Sequence, residues 1–453
     1  MITRFVLLLT VILALPCAGF AQVATQSPPS WKAGAASAKI TPEKMLWMAG
    51  YAGRNKPADG VTLDLFAKAL AIEDGHGQRV ILVTLDLIGV PRTLRQNVTS
   101  RAEKEFGIKP DRLLLNASHT HSGPELRARG LDYPNTRAAD ADAYTVNLEN
   151  TLLRLIGEAL ANLQPVHVRQ SYARCGFAMN RRTPTPKGYS NHPYPQGPVD
   201  HQVPVLRASN ADGTDIAILF GYNCHATTLG LYQFSGDYPG YAQQYLQEAH
   251  PGAVAMFMNG CSGDQNPYPR NTVELAQAHG RSLATAVEAA LTTDMNLLTG
   301  SIKAAYNEMA LTYSPAPGEQ QLNERKDSTN KLEAAYATRL LGVLKDRGSL
   351  PADYPYPVQV IRLGSGVTMI ALGGEVVVDY GLRLKREIHD PFVWMAGYSN
   401  DVMTYIPSLR VLKEGGYEAG DAMKWGSHPA PWSDKVEEQI VGEVHRLRKL
   451  LDD

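Results

Sequence analysis

The chain has 453 residues, and its 44 Lys plus Arg are balanced by 45 Asp plus Glu. So even a balance, with no basic block anywhere, supplies no field for nucleic acid. The length suits one large domain or two ordinary ones, and beyond the first residues no stretch is long and apolar enough to span a bilayer.

The start reads as an export signal. Arg4 precedes the apolar run Phe5–Pro16, and small residues follow at Ala18, Gly19 and Ala21. This is the order of a cleaved secretory leader over 1–21, too short for a membrane anchor, and it predicts a periplasmic or secreted protein. Cys17 offers a lipid-anchor site, but Pro16 before it fits that badly. Residues 22–32, rich in Ser, Pro and Gln, read as a flexible tether, and 33–453 as one domain. Cys175, Cys224 and Cys261 are too scattered for a disulfide framework, although a Cys224–Cys261 bridge stays open in an oxidising compartment.

Apolar runs of β type then alternate with helical patterns. Strands are expected at 66–72, 80–87, 112–116, 166–172, 203–208, 216–222, 254–258, 358–363 and 367–372. Helices are expected at 93–106, 139–163, 238–248, 273–291, 322–344, 376–387 and 433–451. Several strand runs are apolar throughout, as strands covered on both faces are. The alternation predicts an α/β fold, one large domain with a mixed β-sheet core flanked by helices. Residues 182–200, with five prolines, read as a long loop, and about 313–355 as a peripheral helical insertion.

Chemistry-bearing residues gather where these strands end, the usual place for ligand sites in open α/β sheets. After 112–116 comes Ser118-His119-Thr120-His121-Ser122-Gly123-Pro124. Two histidines two residues apart on an extended segment face one side. One would serve as a metal ligand, the other as a ligand or a proton handler. A pair of ordinary loop histidines would look the same. After 216–222 comes Asn223-Cys224-His225, then Ser235-Gly236-Asp237, where Asp237 either orients a ligand histidine or caps the next helix. Cys224, beside His225, reads as core. After 254–258, the run Asn259 to Asn266 suits a tight turn near a bound group, and Ser262 lacks the elbow of a serine hydrolase. Glu375 follows Gly373-Gly374 at the end of 367–372, as a ligand or a carboxylate at a helix start. Tyr398, Tyr405 and Tyr417 sit in loops, within reach of a metal or an oxyanion.

As a set these segments resemble the neutral (non-lysosomal) ceramidase family, from about Gly34 to the C-terminus. The carriers are Met48-Ala49-Gly50-Tyr51, Ser118–Pro124, Asn180-Arg181, His225, Ser235-Gly236-Asp237 with Gly240-Tyr241, Gly374-Glu375, Gly397-Tyr398-Ser399-Asn400 with Tyr405, and Tyr417-Glu418, in the family's order. The resemblance implies one zinc ion per chain held by His119, His225, Glu375 and Tyr405, with His121, Arg181 and Tyr417 lining the reaction centre. It implies hydrolysis of the amide of N-acyl sphingoid lipids by a zinc-activated water. Arg181 and Tyr417 would then face the carbonyl oxygen, and His121 the leaving amine.

The chain also departs from the family. Asn266 stands where the family carries a serine, in Gly263-Asp264-Gln265-Asn266-Pro267-Tyr268. It is expected to donate a hydrogen bond there. Glu125-Leu126 replaces the small residues that usually follow Ser-Gly-Pro, and the immunoglobulin-like domain that ends family members is expected to be missing. The leading expectation is a zinc amidohydrolase acting on a small-molecule or lipid amide. The alternatives are a zinc hydrolase of another ester or amide, or a non-catalytic ligand-binding relative. Oligomeric state is not legible in the sequence.

Overall fold

The computed structural model describes residues 30–126, 135–426 and 428–452. The leader, Cys17 and most of the tether lie outside them. The strand β1 (Trp31–Lys39) begins two residues inside the segment read as tether, and Trp31 is buried there.

Chain order continues with β2 (Phe66–Glu73), β3 (Arg79–Leu85), β4 (Leu113–Ala117), β5 (Gln164–Arg174), β6 (Gln202–Ser209), β7 (Asp215–Tyr222) and β8 (Val254–Asn259). These form one mixed sheet in the order β8-β7-β6-β5-β1-β2-β3-β4, with a short ninth strand at 296–297 beside β5. Both outer pairs, β7 with β8 and β3 with β4, are parallel, and the pairs between them are antiparallel. A second sheet follows: β9 (Ile302–Thr312), β10 (Asp353–Leu363), β11 (Val367–Leu372) and β12 (Val393–Ala396).

The two sheets pack face to face through Trp31, Leu82, Leu114, Leu219, Met256, Ile361, Met369 and Trp394. Helices cover the outer faces. The helices α1 (Arg92–Phe106) and α2 (Asn135–Ala161) lie over β2–β4, and α3 (Asp237–Ala249) and α4 (Val273–Leu291) over β6–β8. The second sheet is covered by α7 (Val378–Glu387) and α8 (Val436–Leu450). Strands covered on both faces explain the uninterrupted apolar runs. The helices α5 (Glu319–Lys326) and α6 (Lys331–Arg347) sit between β9 and β10, which pair directly, and share a small core of Leu322, Tyr336, Ala337 and Leu340. The single helix expected at 322–344 is two, because the Asn330 side chain accepts from Leu332 N and Glu333 N and starts a new helix.

Residues 182–200 are not simply a loop. Ala178–Thr185 and Gly188–Tyr194 form a hairpin that pairs with Gln265–Pro267. The three described cysteines, Cys175, Cys224 and Cys261, are buried and free, so the Cys224–Cys261 bridge does not form.

One buried side chain gathers the strand ends. Asn116, at the end of β4, donates to Asn259 O, Gly397 O and Ser399 Oγ and accepts from Asn259 N. The carboxyl ends of β4, β8 and β12 are thereby tied at one point, from which the loops carrying the polar residues leave.

Candidate metal centre

His119 follows β4, but its φ of 63° makes it a left-handed corner, not an extended residue. The corner is held by His119 N donating to Leu87 O. His119 and His121 still meet, Nε2 to Nε2 at 3.1 Å, because the chain turns there and not because side chains alternate on a strand. His225 lies beyond the end of β7, where His225 N donates to Gln265 O. Glu375 and Tyr405 are direct partners in a two-residue parallel ladder, Glu375–Val376 against Tyr405–Ile406. Gly374 makes that approach feasible: at φ 74°, a Cβ would lie 2.6 Å from Ile406 Cγ1 and 2.7 Å from Thr404 O.

Each of the two ligand-candidate imidazoles is oriented by a backbone carbonyl. His119 Nδ1 lies 2.6 Å from Ile88 O, and His225 Nδ1 lies 2.6 Å from Ser262 O. A carbonyl only accepts, so each Nδ1 carries the hydrogen and each Nε2 presents a lone pair. Both lone pairs face Glu375 Oε2, at 3.2 Å from His119 and 3.4 Å from His225, and Arg181 Nη1 also reaches His225 Nε2 at 3.2 Å. Asp237, the candidate for orienting a histidine, does not touch either ring. Its carboxylate accepts from Leu229 N and Tyr238 N and closes the loop after His225.

Burial, with the nearby Arg181 guanidinium, pushes His225 down to about 3, so it is neutral. A carboxylate oxygen and an imidazole lone pair at 3.4 Å repel each other unless positive charge lies between them. Glu375 Oε2 is buried and receives no hydrogen bond. A buried anion without a donor, facing two ring nitrogens, is a donor set suited to a divalent cation. His119, His121 and His225 also place one ring nitrogen each within 4.8 Å of one another. Tyr405 joins the cluster with its hydroxyl 3.4 Å from His225 Nε2, and burial raises that phenol well above its ordinary value. Tyr398 packs on His119 with ring centroids 4.4 Å apart.

The adjoining wall is cationic. Arg181, on the hairpin, donates from Nη2 to Tyr405 Oη at 2.9 Å, from Nη1 to Asn266 Oδ1 at 3.2 Å, and from Nε to Glu418 at 2.9 Å. Burial acts to lower this guanidinium, but Tyr405 and Glu418 keep it firmly charged. Arg182 binds the other oxygen of Glu418 and also Glu414, so one buried carboxylate bridges two arginines. Asn266 uses its amide nitrogen toward Asn191 Oδ1 at 3.2 Å and Tyr268 Oη at 3.4 Å. Tyr417 is more exposed, at 43%, with its ring centroid 5.4 Å from that of Tyr405. Burial, together with His119 and His225, keeps His121 well below the ordinary imidazole range.

Of the residues singled out in the sequence, His119, His121, His225, Glu375, Tyr405, Arg181, Asn266 and Tyr417 converge on one site, whereas Asp237 touches neither ligand-candidate histidine. The sequence carried no role for Ile88 O and Ser262 O, because a carbonyl has no residue signature. Glu418 was visible only as the neighbour of Tyr417.

The fold is thus an α/β sandwich with a histidine–carboxylate centre at its strand ends. Residues 31–304 match the family described as neutral/alkaline non-lysosomal ceramidase, N-terminal. The chain is 26% identical over 246 residues to neutral ceramidase A of Dictyostelium discoideum, covering 49% of this chain and 34% of that protein. It is 22% identical over 214 residues to neutral ceramidase 1 of Arabidopsis thaliana, covering 44% of this chain and 27% of that protein. In each case the alignment spans about a third or less of the curated relative. The crystal structure of neutral ceramidase from Pseudomonas aeruginosa shares the fold, with a TM-score of 0.71 at 19% identity over 94% of this chain and 75% of that one. The chain belongs to the neutral/alkaline non-lysosomal ceramidase family. Among its described residues no helix is long and apolar enough to cross a membrane.

Proposed function

We propose that this chain is an exported zinc-dependent hydrolase that cleaves a linear amide of the N-acyl amine class, ceramide being the type compound. The observation that carries this reading is the buried, donorless Oε2 of Glu375 facing the Nε2 atoms of two carbonyl-oriented histidines. His119, His225, Glu375 and Tyr405 would hold one zinc ion. When bound, it supplies Lewis acidity toward a water and toward the scissile carbonyl. Arg181, fixed on three sides, presents positive charge where the carbonyl oxygen becomes negative, and Tyr417 at the rim adds a hydroxyl donor. His121, neutral at rest, takes a proton from the attacking water and returns it to the amine nitrogen as the carbon–nitrogen bond breaks. The products are a carboxylic acid and an amine. The start of the sequence, Arg4 and Phe5–Pro16 before small residues, supports export.

A second reading keeps the zinc and changes the substrate to another ester or amide. Asn266 favours it. The residue in the family's serine position accepts from Arg181 and donates toward Asn191 and Tyr268, so the ground beside the carbonyl-facing arginine is wired differently. Stripping the metal with a chelator and restoring zinc, scored on a panel of N-acyl amines and esters, tests both readings. Loss and recovery of amide cleavage supports the first, and ester-only turnover the second. Hydrolysis undiminished in the stripped protein overturns both.

A further inference from the structure

We propose that Arg54 is a positioning residue for His121, clamping the three loops that hold this imidazole against His119. The assignment rests on the hydrolase reading for its catalytic purpose, but its geometry stands alone. Among the described residues the His121 ring nitrogens have one hydrogen-bond contact, Nε2 with His119, and Nδ1 is buried without one. Its place is therefore set by its backbone and by what the ring touches.

Three loops meet at that ring. The Tyr51 ring packs beside it, tilted by 57°, with centroids 4.9 Å apart. Gly50, at φ 99°, passes so close that a Cβ there would lie 2.5 Å from the His121 ring. The loop after His225 receives the His121 backbone, His121 N donating to Ala226 O at 3.2 Å. One guanidinium locks the three together. Arg54 Nη1 donates to Ala49 O and to His121 O, the latter at 2.7 Å, and Nη2 donates to Leu231 O at 2.9 Å. The same guanidinium lies 4.9 Å over the Tyr51 ring, whose hydroxyl donates to Leu229 O at 3.0 Å. A rigid planar fork reaches carbonyls on three segments at once, which the single ammonium of lysine cannot reproduce. Arg54 thus reads as the strut behind the proton-handling histidine, much as the Ile88 and Ser262 carbonyls stand behind the other two.

Arg54→Ala and Arg54→Lys test this, with bound zinc, thermal midpoint, kcat and KM measured on each full-length variant. The expected result for Arg54→Ala is a kcat lowered roughly 10²-fold, with zinc content retained and KM little changed. Free guanidinium ion at low concentration should restore part of the lost kcat, whereas urea should not. Arg54→Lys should remain impaired. An Arg54→Ala protein with undiminished kcat overturns the proposal. So does one whose loss accompanies loss of zinc and is not relieved by guanidinium. A crystal structure of the variant decides without reference to activity. Displacement of the His121 ring from His119 is expected, and an unmoved ring overturns the proposal. If the parent protein hydrolyses no amide or ester, the functional reading fails by itself and this structural outcome still judges the strut.

Discussion

The two walls of the site are built by different physics. On one wall His119, His225 and Glu375 leave the ends of regular strands and are aimed by backbone carbonyls and a short ladder. On the other, Arg181 sits on a peripheral hairpin and is aimed by side-chain charges, chiefly Glu418 and Tyr405. The first wall depends on packing of the sandwich, which point substitutions at the site leave intact. The second depends on charge balance, which a single neutralisation upsets. Ligand removal should therefore cost function without the fold, and neutralising Glu418 should cost both.

The largest effect is expected from Glu375→Gln. A neutral amide in place of the anion should empty the site of zinc and lower kcat/KM by about 10³-fold or more, with the thermal midpoint of the apo protein unchanged or raised. Metal analysis beside kinetics checks this, and a variant that keeps its zinc would mean the anion belongs to something else. Next comes Glu418→Gln, which leaves two buried guanidinium groups facing each other across an uncharged amide. Breaking such a pair costs about 3–5 kcal/mol, readable by urea unfolding. Burial acts to raise the Glu418 carboxyl, but Arg181 and Arg182 hold it below the ordinary carboxylate range. Its stabilising contribution is therefore present above the unfolded value of about 4.3 and is lost as pH falls through the lower folded value. The wild-type advantage over Glu418→Gln should shrink in acid, and a gap that is flat with pH would break the contrast between the walls.

A buried charge away from both walls gives a baseline. Lys68 on β2 donates to Ala255 O and Gln247 Oε1, and burial lowers it to about 8 despite the nearby Asp86. Between pH 8 and about 10.4 the unfolded chain binds the proton that the folded one has lost, so stability should rise with pH there. The rise is on the order of 3 kcal/mol, measured against Lys68→Met, in which that component disappears. The smallest effect is expected from Asn266→Ser. Arg181 keeps Glu418 and Tyr405, so kcat should change less than about 10-fold, with the change differing between amide substrates. A uniform loss across substrates would assign Asn266 to support of Arg181 alone.

The first wall was also the more legible one. Apolar runs announced β2–β4, β7, β8 and β11, and the polar residues at their ends announced the site, because both signals are local in sequence. Arg181 comes just before 182–200, the stretch read as a loop, and only the family resemblance pointed to it. Pro184 and Pro193 disguise a hairpin whose outer strand is an edge and whose prolines lie near its open end or turn, where no ladder N–H is needed. The strand β1 was missed because Trp31–Lys39 is nearly all Ala, Gly, Ser and Lys. Its small residues admit α2: a Cβ on Gly34 would lie 2.3 Å from Ala159 O. The meeting of His119 and His121 was anticipated for the wrong reason, since strand alternation was assumed and a left-handed corner does the work. Arg54 had no signal at all, because its partners are carbonyls from loops far apart in sequence.

Zinc K-edge X-ray absorption on the purified full-length chain, with metal quantified on the same sample, tests the central claim most directly. The account predicts one zinc per chain in a shell of nitrogen and oxygen only, at about 2.0–2.2 Å, with imidazole scattering that weakens in His225→Ala. A sulfur scatterer, or a chain that takes up no zinc when the metal is supplied, would contradict it.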